Sequence, residues 1–324
     1  MLQRRQFFRL AGAGTVSALF ARSGSADTYP SRPIRWIVPF PAGGTTDLVA
    51  RLLGQWLSQR LGQQVIVENK PGGGTNVGVQ AAVAAPADGY TLLLTLATNT
   101  INPWLYKSLP FDYQRDIVPV SGLAEQPLVL VVGKDVPAKN LAEFVTYAKA
   151  NPGKVVFASF GARTVSHLTI ELIKAATGIE FVHVPYPGGA PMLTDLIAGR
   201  IQAGMDALPN SLPHIRSGSV RALAVSSSAR SPAVPDVPTL GETIKGLEVD
   251  AWVGVGVPRG TPAEIVERLN RDINAGLTDA NLKARYADVG AVPLILTPAE
   301  AKARVASDLQ KWGKVVHDAG LKPE

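Results

Sequence analysis

The chain has 324 residues, of which 46% are hydrophobic and 18% charged, with a formal net charge of +6 and no cysteine. This composition is typical of a globular protein long enough for two domains, and it excludes disulfides, cysteine nucleophiles and thiolate metal sites. The basic residues form no block with interleaved aromatic side chains, so we expect no nucleic-acid partner.

Residues 1–26 are predicted to be an export signal. They combine a basic start, a short apolar middle, and small residues at Gly24 and Ala26 that suit a cleavage site. Arg4 and Arg5 resemble a twin-arginine signal, although a general secretory signal fits the same pattern. Removal of this segment takes away four arginines and no acid, and lowers the net charge to +6 − 4 = +2. After it, no apolar run is long enough to span a bilayer, so we expect an exported, periplasmic protein that does not cross the membrane.

From Ile34 onward, short apolar runs alternate with patterns of helical periodicity. IRWIVPF precedes LVARLLGQWLSQRL, and a second set of the same kind begins near Leu128 with LVLVVG. This alternation predicts an α/β fold with parallel strands and right-handed connections, followed by a helical tail from Ala263. Two such sets suggest two lobes with a cleft between them, into which the loops after the strands would point.

The stretch PFPAGGTTD connects the first predicted strand to the first helix. Gly43 and Gly44 allow backbone N–H groups to turn toward an anion, and a helix that starts near Thr46 or Asp47 adds free donors. The lysine of a triphosphate-binding loop is missing, which leaves a neutral cradle for a small anion such as a carboxylate. The alternative is a plain turn in which Thr46 or Asp47 caps the helix.

The stretch ASFGARTVSHL has the same order of strand, glycine, hydroxyl residues and helix. Gly161 and Thr164 supply the glycine and the hydroxyl group, as glycine and threonine do in the first loop. Arg163 adds a cation that could bind a carboxylate with two hydrogen bonds. Arg163 could equally point to water, and His167 is more typical of a structural hydrogen bond than of catalysis.

Two further stretches extend the candidate site. In VPYPGGAPMLTDL, Gly188 and Gly189 precede a helix, and Tyr186 either lines a pocket or packs in the core. In LATNTINP, Thr98 and Asn99 follow a strand and offer neutral donors and acceptors that could orient a ligand.

The sequence contains none of the common catalytic motifs. HExxH and GxSxG are absent, and the four histidines lack the spacing of metal ligands. We therefore expect no metal and no cofactor. An α/β enzyme that acts on a carboxylated substrate, with His167 beside Asp47 or Asp206, remains the alternative, because such groups meet only in the folded chain.

Several segments together resemble one known family. RPIRWIVPFPAGGTTDLVARLL, VIVENKPGGGTNVG, PADGYTLLL, FASFGARTVSHLTIELIK, VPYPGGAPMLTDLIAGRIQAGMDAL and VRALAVSSSARSPAVPDVPTLGE are similar to the extracytoplasmic receptors of tripartite tricarboxylate transporters, also called Bug proteins. The resemblance extends from Arg32 to the end of the chain.

This resemblance implies a receptor rather than an enzyme, with the two-lobed type II (Venus flytrap) architecture of periplasmic binding proteins. It places residues 27–127 and 252–324 in one lobe and residues 128–251 in the other. The implied ligand is a small organic mono- or dicarboxylate. The implied partners are the membrane subunits of the transporter, to which a monomeric receptor would deliver this ligand. A receptor that signals to a sensor kinase is a further alternative.

The resemblance also implies the binding residues. The first loop would hold one carboxylate through backbone groups and water near Asp47, and the second loop would hold the opposite end of the ligand. This chain departs from the family pattern at Arg163 and Thr164, where a glycine and a small hydroxyl residue are common, and at Pro187, where a lysine or a similar residue is frequent. The complete candidate set is Phe40, Ala42, Gly43, Gly44, Thr45, Thr46, Asp47, Asn76, Thr98, Asn99, Ser159, Gly161, Arg163, Thr164, His167, Tyr186, Gly188, Gly189 and Asp206.

Overall fold

The computed structural model of the protein describes residues 29–318 and 322–323. The predicted export signal lies outside these residues. The described chain forms two β-sheets with helices packed on them, so the predicted α/β class is confirmed. The strands, in chain order, are β1 (Ile34–Val38), β2 (Val65–Asn69), β3 (Thr91–Leu96), β4 (Ile117–Glu125), β5 (Leu128–Val132), β6 (Val156–Ser159), β7 (Val182–Pro185), β8 (Ala203–Ala207), β9 (Arg221–Val225), β10 (Trp252–Pro258) and β11 (Val292–Pro293).

The helices follow the strands with a regularity that the sequence pattern indicated. They are α1 (Thr45–Leu61), α2 (Asn76–Val83), α3 (Ala97–Leu105), α4 (Tyr113–Asp116), α5 (Leu141–Ala150), α6 (Val165–Thr177), α7 (Gly189–Ile197), α8 (Leu208–Arg216), α9 (Leu240–Thr243), α10 (Ala263–Thr278), α11 (Ala280–Asp288) and α12 (Pro298–Asp318), with a short 3₁₀ turn at Gly73–Thr75. Within the described residues no helix combines the length and hydropathy needed to cross a membrane.

Helix α1 shows why the local sequence folds in this way. Val49, Leu53 and Leu57 recur at intervals of four residues, and all three are buried against the first sheet. The helix ends at Leu61 and is followed by Gly62, whose φ of 68° lies in the left-handed region that glycine adopts without strain. This buried face therefore holds α1 against the first sheet.

The two sheets divide the chain by strand pairing. The first has the order β11-β4-β10-β3-β1-β2, and the second has the order β7-β6-β8-β5-β9. The chain passes from the first sheet to the second between β4 and β5, and returns after β9 through β10. These two crossings lie side by side, because the backbone N–H of Gln126 donates to the carbonyl of Ala251 at 2.9 Å.

The prediction of parallel pairing is correct for only part of each sheet. β1 pairs in parallel with β2 and β3, and β6 pairs in parallel with β7 and β8. β10 is antiparallel to β3 and β4, and β5 is antiparallel to β8 and β9. The difference arises because a strand that arrives from the other sheet enters from the opposite end, which the alternation of strands and helices does not reveal.

The helical tail connects the two halves. Helices α10 and α11 pack on the first sheet, where Leu269 and Ile273 are buried. At the end of α12, Trp312 packs in the apolar cluster that also contains Phe144 and Phe157 beside the second sheet, and Leu105 at the end of α3 joins this cluster. This cluster thus joins α3 and α12 to the second sheet, and loops that follow strands of both sheets line one cleft.

Candidate ligand-binding cleft

A cleft with a cavity volume of about 120 Å³ lies between the carboxyl ends of the two sheets. The first sheet contributes the loop after β1 and the start of α3. The second sheet contributes the loop after β6 and the starts of α7 and α8. We call the part formed by the two crossings the cleft floor, which consists of Gln126, Leu128, Ala251, Trp252 and Val253.

The loop after β1 presents backbone to this cleft. Gly43 has a φ of 86°, and the extended Gly44 precedes the first helical residue, Thr45. No side chain caps the start of α1. The N–H groups of a first helical turn have no partner within the helix, and the helix dipole makes this end partly positive. The N–H groups at the start of α1 can therefore donate hydrogen bonds to a carboxylate.

The alternative prediction that Thr46 or Asp47 caps α1 is wrong. The helix starts before both, at Thr45, and Asp47 turns back to accept hydrogen bonds from Gly43 N at 3.0 Å, Arg51 Nε at 2.8 Å and Asn69 Nδ2 at 2.9 Å. Burial raises the pKa of Asp47, but these hydrogen bonds outweigh burial and hold the pKa below its usual value. Asp47 fixes the shape of the loop and does not line the cleft.

The start of α3 forms the adjacent wall. Thr98 lines the cleft, and its Oγ1 accepts a hydrogen bond from Val165 N at 3.4 Å, which links the two sheets. Asn99 lies behind this wall, where its side chain accepts from Leu96 N and donates to Thr75 Oγ1 at 2.9 Å.

Asn76 lies in the same polar network behind the wall. Its Oδ1 accepts from Asn102 Nδ2 at 2.7 Å. Asn76 and Asn99 thus support the wall formed by α3 without lining the cavity.

The loop after β6 forms most of its hydrogen bonds within itself and with the start of α6. Ser159 Oγ donates to the carbonyl of Gly161 at 3.1 Å, and Thr164 Oγ1 donates to the same carbonyl at 2.8 Å. The N–H of Arg163 donates to His167 Nδ1 at 3.1 Å. None of these residues lines the cleft, which this loop instead contacts through Phe160 and Val165.

The side chain of Arg163 crosses to the other half of the molecule. Its guanidinium lies 4.7 Å from the ring centroid of Tyr106, which follows α3. Arg163 also has a φ of 60°, a left-handed conformation that glycine adopts more easily. The backbone therefore retains the shape that a glycine would give, while the side chain contributes a cation–π contact outside the cavity.

His167 belongs to a stacked pair below this loop. The rings of His167 and His183 lie 4.0 Å apart with an interplanar angle of 4°, and His183 Nε2 lies 2.8 Å from Ser159 Oγ. Burial, and then the neighbouring His167, lower the pKa of His183 to about 4. Because His167 Nδ1 accepts from Arg163 N–H, His167 acts as a structural hydrogen-bond acceptor.

The start of α7 faces the cleft from the second sheet. Gly188 has a φ of 128° and lies near Pro41 of the first loop, where an added Cβ would be 3.9 Å from Pro41 Cγ. Gly189 is packed so closely against Asp206 and Asn210 that any side chain would collide with both. Tyr186 lies outside the lining, and its hydroxyl donates to Asp195 Oδ2 at 2.7 Å.

Asp206 is the one titratable side chain among the described residues that line the cleft, and no lysine, arginine or histidine lines it. It is 1% exposed and accepts hydrogen bonds from Asn210 Nδ2 and Ser211 Oγ, both at 2.7 Å. Burial raises the pKa of Asp206 to about 6, although these hydrogen bonds act in the opposite direction. Within this lining, only backbone N–H groups can therefore attract an anion.

The structure brings part of the predicted set together. The residues that line the cleft are Phe40, Ala42, Gly44, Thr45, Thr46, Thr98, Gly188, Gly189 and Asp206. The others lie in the loops or walls that support it, namely Gly43, Asp47, Asn76, Asn99, Ser159, Gly161, Arg163, Thr164, His167 and Tyr186.

Sequence reasoning missed several lining residues. Phe160 follows a strand just as Phe40 does, and this shared position could have identified it. The two rings form an edge-to-face contact with centroids 6.1 Å apart across the cleft. Gln126, Trp252 and Asn210 carry no local signal, because the first two reach the cavity only where the two sheets meet.

Comparison with known proteins identifies the family. Residues 49–321 match the family described as the tripartite tricarboxylate transporter family receptor. The chain belongs to this family. It is also 40% identical to protein BugT of Bordetella pertussis over 314 residues, which cover 96% of each chain. The resemblance inferred from the loop motifs is thereby confirmed.

Solved structures of this family have the same fold. The R. palustris protein Rpa4515 with adipate is 35% identical, with a TM-score of 0.88 over 91% of this chain and 100% of that one. MatC (Rpa3494) from Rhodopseudomonas palustris with bound malate is 32% identical, with a TM-score of 0.83 over 89% and 100%.

These comparisons also settle the class of protein. The similar structures are two-lobed periplasmic binding proteins. The family and these structures are solute-binding receptors rather than enzymes, and nothing in them supports the enzymatic alternative.

Proposed function

We propose that this receptor is exported to the periplasm, where it captures a small organic carboxylate in the cleft between its lobes. The proposal extends to the two lobes inferred from sequence, residues 27–127 with 252–324 and residues 128–251. It also includes a monomeric mature protein without the first 26 residues, which delivers the ligand to the membrane subunits of a tripartite tricarboxylate-type transporter. The observation that carries it is a cleft lined by helix starts from both sheets and by no cationic side chain of the described chain.

Backbone amides supply the attraction in this proposal. The uncapped start of α1 and the glycine-rich start of α7 face the same cavity, so a carboxylate between them would accept hydrogen bonds from first-turn N–H groups. A hydrogen bond to a charged group contributes about 1.5 to 3 kcal/mol net. A few such bonds reach the roughly 8 kcal/mol that corresponds to micromolar affinity.

Binding would also favour the closed arrangement of the lobes. Phe40 and Phe160 contact each other across the cleft, and Thr98 bonds to Val165 from the opposite lobe. A ligand that contacts both α1 and α7 gains contacts only when these elements are close, and it shifts the population toward closure by that difference in binding energy. The closed surface would then be recognised by the transporter.

The relatives indicate the class of ligand. One similar structure contains adipate and another contains malate, and both compounds are dicarboxylates. The apolar walls formed by Phe40, Phe160 and Trp252 suit a short carbon chain between polar ends.

Isothermal titration calorimetry tests this proposal. Residues 27–324 would be titrated with C4 to C6 mono- and dicarboxylates, and with the corresponding diols as uncharged controls. We expect at least one carboxylate to bind with micromolar affinity while the diols do not bind. If no carboxylate binds better than millimolar, the proposed function is wrong.

A further inference from the structure

Gln126 lies where the chain crosses from the first sheet to the second. Its backbone N–H donates to the carbonyl of Ala251 at 2.9 Å, which is on the returning crossing. It is thus held by both connections between the lobes. Its side chain is 5% exposed and forms part of the cleft floor.

The side-chain amide of Gln126 is not satisfied within the protein. Its Nε2 is buried and has no hydrogen-bond partner among the residues that the structure describes. An amide donor that is removed from water without a partner destabilises the fold, so such groups are rare in folded proteins. Thr45 Oγ1, at the start of α1, lines the same cavity and is buried without a partner in the same way.

We propose that Gln126 binds the ligand directly and selects for an oxygen acceptor on the end of the ligand that lies at the cleft floor. This inference rests on the proposed function. The first carboxylate of the ligand lies at the start of α1. A second oxygen function, either a carboxylate or a neutral carbonyl, accepts a hydrogen bond from Gln126 Nε2, whose buried N–H the side-chain amide must first turn toward the ligand. Neighbours of Gln126 on the floor are mostly apolar, so a ligand with a bare hydrocarbon end leaves the amide unpaired.

The physical basis is the difference in free energy between a buried donor that has a hydrogen-bond acceptor and one that has none. A site built to hydrogen-bond one group rejects an analogue that lacks this group, because the buried donor then stays unpaired. A hydrogen bond that involves a charged acceptor corresponds to about ten-fold or more in affinity.

Three matched probes of each chain length, C4 to C6, test the proposal by calorimetry. They are the dicarboxylate, its monoamide and the unbranched monocarboxylate. At the best-bound length, the wild-type protein is expected to bind the dicarboxylate about ten-fold or more, and the monoamide several-fold, more tightly than the monocarboxylate. In Gln126→Leu this preference is expected to fall to about three-fold or less. The same substitution at the exposed Gln114 should leave the preference unchanged.

Thermal unfolding of the ligand-free variants provides a second readout. Gln126→Leu replaces an unpaired buried amide with an apolar side chain of similar size, so its unfolding midpoint should equal or exceed that of the wild type. A clear fall in the midpoint would show that Gln126 stabilises the fold and would overturn the inference. Carboxylate binding with the same preference in wild type and Gln126→Leu would also overturn it and leave the proposed function intact. A complete lack of carboxylate binding by the wild type would overturn both.

Discussion

The loops after β1 and β6 both lead from a buried strand through glycine to a helix, yet they use their backbone N–H groups differently. Neither helix start is capped by a side chain, and in both loops the N–H two residues before the helix donates to the side chain four residues on, Gly43 to Asp47 and Arg163 to His167. The loops differ at the first helical residue, because the N–H of Val165 donates to Thr98 Oγ1, whereas no side chain of the described residues takes the N–H of Thr45, which lines the cleft. Loops of similar sequence can therefore have different functions, because an amide that is already bonded within the protein is not available to a ligand.

The sharpest test of this difference is a proline at the first helical position of each loop. Proline fits this position, removes its N–H, and requires an extended residue before it. Gly44, before Thr45, has φ and ψ of −81° and 168°, and Thr164, before Val165, has −88° and 169°. Both sites therefore accept proline without a change of backbone.

Thr45→Pro is expected to have the largest effect on binding. It removes one amide donor at the cleft, and we expect carboxylate affinity to fall by about 1.5 to 3 kcal/mol, as measured by calorimetry. Thr45→Val is the matched control, since it removes the hydroxyl and keeps the N–H. Equal affinities of the two variants would show that this N–H does not contact the ligand. Ala263→Pro, at the exposed start of α10, should leave the affinity unchanged.

Asp206→Asn tests whether the acid on the second sheet opposes binding at the first. The pKa of Asp206 is raised to about 6, so its charge increases as pH rises through 6 and repels an anionic ligand. With the monoamide of the dicarboxylate as ligand, whose single carboxyl stays largely ionised over this range, wild-type affinity is therefore expected to fall several-fold between pH 5.5 and pH 8, and Asp206→Asn should flatten this dependence. Calorimetry at both pH values measures it, and an identical pH profile in the two proteins would contradict the expectation.

Val165→Pro is expected to reduce stability more than binding. It removes the N–H that donates to Thr98 Oγ1, so the free energy of unfolding should fall by about 1 kcal/mol in urea denaturation. The control is Val165→Ala, which keeps the N–H and loses part of the apolar contact. The difference in ligand affinity between Val165→Pro and Val165→Ala should be smaller than the difference between Thr45→Pro and Thr45→Val. A loss as large as that of Thr45→Pro would place an α6 amide on the ligand.

The stacked histidines predict a pH dependence of stability for the second loop. His183 has a folded-state pKa of about 4, below its ordinary value of 6.5, so the unfolded chain binds more protons between these values. The contribution of His183 to the free energy of unfolding should therefore fall as pH decreases from 6.5 to 4, whereas Asp206, whose pKa is raised to about 6, contributes in the opposite direction over this range. His183→Gln keeps a polar group near Ser159 and should weaken this dependence. The measurement is urea denaturation at several pH values, and parallel curves for the two proteins would rule out this role of His183.

The fold was largely predictable, because its cause is local. Alternating apolar runs and helical patterns, such as IRWIV before α1, determine an α/β class whatever the final arrangement. The antiparallel placement of β10 was not predictable, since it depends on a return from the second sheet after more than a hundred residues.

The candidate site was also predictable only in part. The glycine loops could be recognised from short motifs, and the structure places Gly44, Gly188 and Gly189 on one cavity. Gln126 could not be recognised, because its burial and its lack of a partner arise only where both crossings meet. The support role of Asn99 is also invisible in sequence, since its bond to Thr75 joins residues 24 positions apart.

Arg163→Gly is expected to have the smallest effect and to separate loop shape from side-chain chemistry. Glycine adopts the left-handed φ of 60° more easily, which offsets the loss of the cation–π contact between the half-buried Arg163 and Tyr106, a contact of about 0.5 to 2 kcal/mol. We therefore expect unfolding free energies within about 1 kcal/mol of wild type. Arg163→Ala loses the same contact without relief of strain, and should be less stable than Arg163→Gly by about 1 kcal/mol. Since Arg163 does not line the cleft, ligand affinity should change less than about three-fold, under 1 kcal/mol, in both variants. A change of ligand preference across the carboxylate panel would instead show that the guanidinium turns into the cleft when ligand is bound.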